Sequence, residues 1–188
     1  MIYEPLEDSY LLQNVLKEFL KNKNRELSII DIGSGSGIQA ETCINLGFKN
    51  ILASDINKLA VKKLKEKKIN AIESNLFSKI KNYKFDLIIF NPPYLPEDKR
   101  EPKESKLITT AGKEGYEIIN KFLKQAKNHL KENGSILLLF SSLSKPKIIL
   151  RYAKKLNYNY EMLDKKKLFF EELYVYKLYW ENNLRKVY

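Results

Sequence analysis

The chain has 188 residues, 44% of them hydrophobic and 12% aromatic, and its 34 Lys and Arg against 23 Asp and Glu give a formal net charge of +11. That length fits one domain with a sizeable core and is short for two, and the apolar content excludes an intrinsically disordered chain. No apolar run approaches the ~20 residues that span a bilayer, and Met1-Ile2-Tyr3-Glu4-Pro5 lacks the basic-then-apolar layout of a secretory leader, so a cytoplasmic protein without membrane contact is expected.

In chain order, Tyr10, Leu11, Leu12, Val15, Leu16, Phe19 and Leu20 recur at helical spacing after Glu7-Asp8-Ser9, which reads as an N-terminal cap. This predicts a leading helical segment over residues 1–26 that ends in a polar stretch. Strand and helix signals then alternate. Strands are expected over residues 27–32, 51–54, 71–74, 85–90 and 135–140, with helices over 38–46, 58–67, 116–131 and 145–155. Such alternation implies parallel strands joined by right-handed crossovers, with helices on both faces. Towards the end, residues 158–163, 168–170 and 173–180 read as strands with little helix between them, so an antiparallel hairpin is expected at one sheet edge. The longest irregular stretch, residues 95–115, is polar and carries Pro96, Pro102 and Gly112. A loop of that length inside one domain suits a substrate loop, with plain disorder as the alternative.

Few residues can bind metal. The single Cys43 sits in an apolar helical stretch and the single His129 near the end of a Lys-rich helix, positions that suit a core thiol and a surface imidazole. Neither a zinc site nor a Ser-His-Asp triad is expected, and no metal. The basic excess favours an anionic partner such as RNA or a ribonucleoprotein. It is mostly lysine spread over helix faces, as in Lys62, Lys63, Lys65, Lys67 and Lys68, which a solvated face explains as well.

Two segments carry the chemistry. Asp31-Ile32-Gly33-Ser34-Gly35-Ser36-Gly37 joins the first strand to its crossover helix, and its glycines let a ligand approach the backbone. Alone it is compatible with a dinucleotide or an adenosyl cofactor. Asp55, closing the second strand, can accept both hydroxyls of a ribose. Asn75, after the third strand, with Leu76 and Phe77 behind it, can receive an adenine edge and face; strand-end capping is the plain alternative for Asp55 and Asn75. The second segment is Asn91-Pro92-Pro93-Tyr94, directly after the apolar run from Phe85 to Phe90. Two prolines end a buried strand abruptly and display Asn and Tyr at its carboxyl edge, where ligands of open α/β sheets sit. An Asn oxygen and fixed backbone carbonyls suit a planar NH2 group, and Tyr offers it a flat face.

Together these segments resemble a class I S-adenosylmethionine-dependent methyltransferase of the amino-group-modifying kind. Tyr3-Glu4-Pro5-Leu6-Glu7-Asp8-Ser9 is more particular: it is similar to the opening of the short HemK-like enzymes of archaea and eukaryotes, which methylate the glutamine of the Gly-Gly-Gln motif in class I release factors. Ala111-Gly112-Lys113-Glu114-Gly115-Tyr116-Glu117 extends the match. The resemblance implies an α/β, Rossmann-like single domain over residues 1–188, with a mostly parallel seven-stranded sheet whose last strand is antiparallel. It implies S-adenosyl-L-methionine as cofactor, leaving as S-adenosyl-L-homocysteine, held by Asp31, Gly33, Gly35, Gly37 and Asp55. Ser9, Ile56, Asn75, Leu76 and Asn91 would surround it. The family usually has Asp where this chain has Asn75.

The catalytic group implied is Asn91, Pro92, Pro93 and Tyr94, with the Asn91 side chain and the Pro92 carbonyl accepting the two N–H bonds of the substrate amide. The implied partners are a class I release factor as substrate and a small zinc-binding activator pairing with the sheet edge at residues 69–73; RNA or ribosome contact stays open. Asn-Pro-Pro-Tyr equally suits an exocyclic base amine of RNA or DNA, and a scaffold that binds cofactor without catalysis is a further alternative.

Overall fold

Strands β1 (Ile29–Ile32), β2 (Ile51–Asp55), β3 (Ala71–Glu73) and β4 (Phe85–Phe90) are built from β-branched and aliphatic residues in nearly unbroken runs, which a strand needs when helices cover both its faces. In the computed structural model, which describes residues 2–97 and 109–180, they pair in parallel. β5 (Leu130–Ser141) continues the parallel set beside β4. β6 (Tyr158–Lys167) and β7 (Glu172–Trp180) form a hairpin whose β7 arm runs antiparallel to β5, so the seven-stranded order is β3-β2-β1-β4-β5-β7-β6. This is the mostly parallel sheet that was expected.

Alternate residues of the central strands face opposite layers, as a period of two requires. Ile29, Leu87, Ile89, Leu137 and Leu139 pack with α1 (Glu7–Leu20), α2 (Ile38–Asn45) and α3 (Lys58–Glu66). Ile30, Ile88, Phe90, Ile136 and Leu138 pack with α4 (Glu117–Ala126) and α5 (Pro146–Lys155). Cys43 is fully buried in the first layer, where burial raises its thiol far above the ordinary range. His129 stacks on Phe77 at 4.4 Å between ring centres, its Nδ1 2.8 Å from the Tyr83 carbonyl, a structural place as expected.

Three local expectations are corrected. Glu7-Asp8-Ser9 forms the first turn of α1 rather than its cap: the N-cap is Leu6, with no side-chain hydrogen bond, because Asp8 and Ser9 turn inward and are 3% exposed each. The helix expected over 116–131 stops at Ala126; Leu130 is drawn into pairing with Phe85, and the register shifts before Ser135 meets Leu87. Residues 168–170 are not a strand but the turn of the β6–β7 hairpin, closed by the Leu168 N–H donating to the Glu171 carbonyl at 2.8 Å.

Of the proposed substrate loop, residues 98–108 lie outside the described residues. Its stem pairs with itself, the Leu95 N–H donating to Thr109 and the Ala111 N–H to Leu95, both at 2.9 Å. Gly115, at φ 84°, lets the returning chain pass directly under Tyr94: a Cβ there would lie 3.0 Å from the Tyr94 carbonyl oxygen and 3.1 Å from the Pro96 nitrogen. This contact accounts for a glycine at that point of the 111–117 segment. Among the described residues no helix is long and apolar enough to cross a membrane, and no group of His, Cys, Asp and Glu could hold a metal ion.

Candidate active site

The order of strands reverses at β1, between β2 and β4, and the loops leaving the carboxyl ends of those strands meet there. Three of the sequence-derived segments arrive at that edge: the glycine loop after β1, Asp55 at the end of β2, and Asn91 to Tyr94 after β4.

The glycine loop is shaped from beneath by Asp31. Its carboxylate is 2% exposed and accepts hydrogen bonds from the Ser34 hydroxyl and the Ala40 N–H, so it ties β1 to the first turn of α2. Burial pushes its pKa to about 7 against those hydrogen bonds, with Asp55 nearby adding to the rise. The sign follows from proton counting. The folded chain keeps a proton that the unfolded chain, with an ordinary value of 3.8, has released. Stability contributed at Asp31 is therefore highest in acid and falls as pH climbs towards and past 7. Thermal melts of the cofactor-free protein and of Asp31→Asn should diverge in favour of the variant between pH 5 and pH 8; a constant difference would contradict this assignment.

Above Asp31, Gly37 takes φ 92°, and a Cβ there would lie 2.7 Å from Leu64 Cδ2. Backbone strain and overpacking then act together. Gly37→Ala should cost about 2–3 kcal/mol, seen as a fall in Tm of roughly 5–10 °C.

Asp55, 9% exposed, completes the cradle: its Oδ2 accepts the Gly35 N–H and its Oδ1 the Asn57 N–H, each at 2.8 Å. Each oxygen keeps further lone-pair capacity for a diol. Ile56 follows with its apolar side chain 53% exposed at the same edge. Asn75 is exposed beyond β3, displayed by a turn in which Leu76 is buried at φ 51° and the Ser74 hydroxyl donates to the Leu76 carbonyl at 2.8 Å. Phe77 departs from expectation: it lies in the core against Phe122 and His129 and offers no face to a ligand. Ser9 lies below this region, its carbonyl accepting from Gln39 Nε2 at 2.9 Å. A backbone cradle of glycines, a carboxylate and an exposed apolar side chain fit the methionine, ribose and adenine parts of S-adenosylmethionine.

On the acceptor side, Asn91 Nδ2 donates to Asp8 Oδ2 at 2.8 Å, and Asp8 Oδ1 accepts from the Tyr3 hydroxyl at 2.8 Å. A carboxylate only accepts, so the NH2 end of Asn91 must face Asp8. Asn91 Oδ1 is left buried with no hydrogen-bond partner among the described residues. Pro92 is buried and fixes the backbone, and Tyr94 is half-buried between the two core layers, its carbonyl accepting from the Ser144 hydroxyl at 2.8 Å. Burial first, then the charges of Asp8 and Glu171, drive the Tyr94 phenol far above its ordinary value, so it stays neutral and acts by its ring.

Asp8, Tyr3 and Ser144 were missed as working residues. Tyr3 and Asp8 lay in the opening motif, but nothing in local spacing says that Asp8 reaches a residue 83 positions later.

A glycine cradle with a ribose carboxylate, facing an amide oxygen held open beside a tyrosine, on a sheet of this order, defines a class I S-adenosylmethionine-dependent methyltransferase. Residues 9–169 match the model of the Methyltransferase small domain family, and the chain belongs to that family. A Methanocaldococcus jannaschii protein, named provisionally as a protein N5-glutamine methyltransferase, is 40% identical over 182 residues, covering 93% of this chain and 89% of that one. The release factor glutamine methyltransferase of Aquifex aeolicus is 33% identical over 147 residues, covering 70% of this chain and 52% of that protein. Among solved structures, the E. cuniculi Mtq2–Trm112 complex, responsible for methylation of the eRF1 translation termination factor, superposes with a TM-score of 0.78 at 25% identity, covering 96% of this chain and 99% of the matched one. The family read from the motifs, the fold and the cofactor class are borne out.

Proposed function

We propose that this chain methylates the side-chain nitrogen of the glutamine in the Gly-Gly-Gln motif of a class I translation release factor. The observation that carries this reading is Asn91 Oδ1, buried with no hydrogen-bond partner among the described residues while its Nδ2 is held by Asp8. An unmet buried acceptor costs stability unless a donor arrives, and a primary amide brings two.

S-adenosylmethionine, when bound, supplies an electrophilic methyl group. The chain's own part is to align and desolvate the acceptor nitrogen. An amide nitrogen is a poor nucleophile because its lone pair is shared with the carbonyl. Asn91 Oδ1 takes one N–H and the Pro92 carbonyl the other, and the pull on both bonds builds electron density on nitrogen as the transition state needs it. The Tyr94 ring packs on the amide plane. No base is required before transfer, because the nitrogen loses its proton readily once methylated.

A small zinc-binding activator pairing with β3 is part of the same reading. Ala71–Glu73 is an edge strand, and its free hydrogen-bonding side invites strand addition. The second reading, methylation of an exocyclic base amine, is favoured by the net charge of +11. The carboxylates of Asp8 and Glu171 close to Tyr94 count against a phosphate backbone there.

The test is methyl transfer from labelled cofactor, with and without the activator, to a release factor and to its Gly-Gly-Ala variant, beside total tRNA and DNA. Label on the wild-type factor alone supports the glutamine reading; label on nucleic acid overturns it.

A further inference from the structure

The turn of the β6–β7 hairpin presents two phenyl rings to solvent. Phe169 and Phe170 are 92% and 85% exposed, and their rings meet edge to face with centres 4.6 Å apart. Leu168 before them packs against the core and its N–H closes the turn on the Glu171 carbonyl, so the pair stands on a fixed base. Adjacent exposed aromatic rings of this kind mark interaction sites more than chance exposure, and aromatic anchors dominate binding hot spots.

The turn is tied to the acceptor site from two directions. The Ser142–Ser144 turn holds both: the Ser142 hydroxyl accepts the Glu172 N–H at 3.0 Å, and the Ser144 hydroxyl donates to the Tyr94 carbonyl at 2.8 Å. The residue after the rings, Glu171, turns its side chain inward; its Oε2 is buried with no partner among the described residues, and its charge acts on the Tyr3 and Tyr94 phenols. Because β7 starts where β5 ends, with Leu173 opposite Ser141, the rings stand at the carboxyl edge of the sheet, where the acceptor must enter.

The charge around the turn selects the occupant. Lys165 is paired with Glu172 at 3.1 Å and Lys166 with Glu7, Lys167 stands exposed beside them and acts on Glu172, and the inward Glu171 makes the third carboxylate, so the three lysines at the turn are offset by three carboxylates. A turn with no net positive charge and two displayed rings gives a phosphate backbone little purchase and suits a polypeptide with an apolar side chain and N–H donors. On the glutamine reading above, we infer that Phe169 and Phe170 form a docking tip that grips the folded protein carrying the acceptor, outside the reacting amide itself.

The test is steady-state methylation of intact release factor by the Phe169→Ala/Phe170→Ala variant, purified with the activator wherever the parent enzyme requires it. Both rings lie outside the core, so the variant should keep its Tm and its affinity for S-adenosylmethionine. KM for the intact factor should rise at least about tenfold, with kcat within twofold of the parent, the pattern of lost uniform binding. Tyr83→Ala, which removes a ring 68% exposed at the opposite, amino-terminal end of β4, should leave KM unchanged. An unchanged KM in the double variant, where the parent labels the factor, overturns the docking tip and leaves the glutamine reading standing. Label on RNA and none on the factor by the parent overturns both, since the occupant is then no polypeptide.

Discussion

Asn91→Ala should lower kcat by at least ~100-fold, the scale of removing one preorganised polar group from a transition state, while the dissociation constant for S-adenosylmethionine stays within a few-fold of the parent. The hydrogen bond that shapes the cradle, from the Gly35 N–H to Asp55, does not involve Asn91, so the variant leaves the cradle intact and binding should separate from transfer. What the variant loses is the buried Oδ1 that has no hydrogen-bond partner among the described residues. Equilibrium dialysis of the cofactor beside single-turnover transfer checks both halves. Turnover close to that of the parent would remove Asn91 from the mechanism.

Asp8→Asn is expected to lower kcat by about 30- to 100-fold through Asn91. The Asp8 carboxylate accepts on both oxygens, from Tyr3 and from Asn91. An amide in its place has one accepting and one donating end. If its oxygen stays with the Tyr3 hydroxyl, its NH2 faces Asn91 and turns the Asn91 oxygen away from the substrate, presenting NH2 to NH2. A general loss of structure would appear in Tm and in cofactor affinity, both of which should hold. The sharper measurement is the double variant: Asp8→Asn combined with Asn91→Ala should be no slower than Asn91→Ala alone, because both changes act on one hydrogen bond. Additive losses would give Asp8 a separate role.

Much of the fold was legible because its signals are local. β4, residues 85–90, was bounded correctly by an apolar run closed by Asn91-Pro92-Pro93, and α2, α3 and α5 came within a residue or two. Where the reading failed, a tertiary contact outweighed local pattern. Leu130 reads as the end of a helix, yet Phe85 pairs with it as strand. Leu168-Phe169-Phe170 reads as a strand because apolarity normally means burial; here Leu168 alone is packed and the two rings are displayed. Phe77 reads as an adenine face from its position after β3, but the core takes it instead.

The sequence by itself determined the strand–helix alternation, the glycine loop, the ribose carboxylate and the Asn-Pro-Pro-Tyr turn, because each depends on backbone freedom or side-chain chemistry within a few residues. Only the tertiary structure decided which way Asn91 points. That orientation is set by Asp8, brought by α1 across the sheet edge from 83 residues away, and a contact of that kind leaves no periodicity or spacing in the chain. The same holds for the Ser142–Ser144 turn, whose hydroxyls join Tyr94 to the hairpin carrying Phe169 and Phe170: the pairing follows from the order of β5, β7 and β6 in the sheet, which the packing of both layers fixes together.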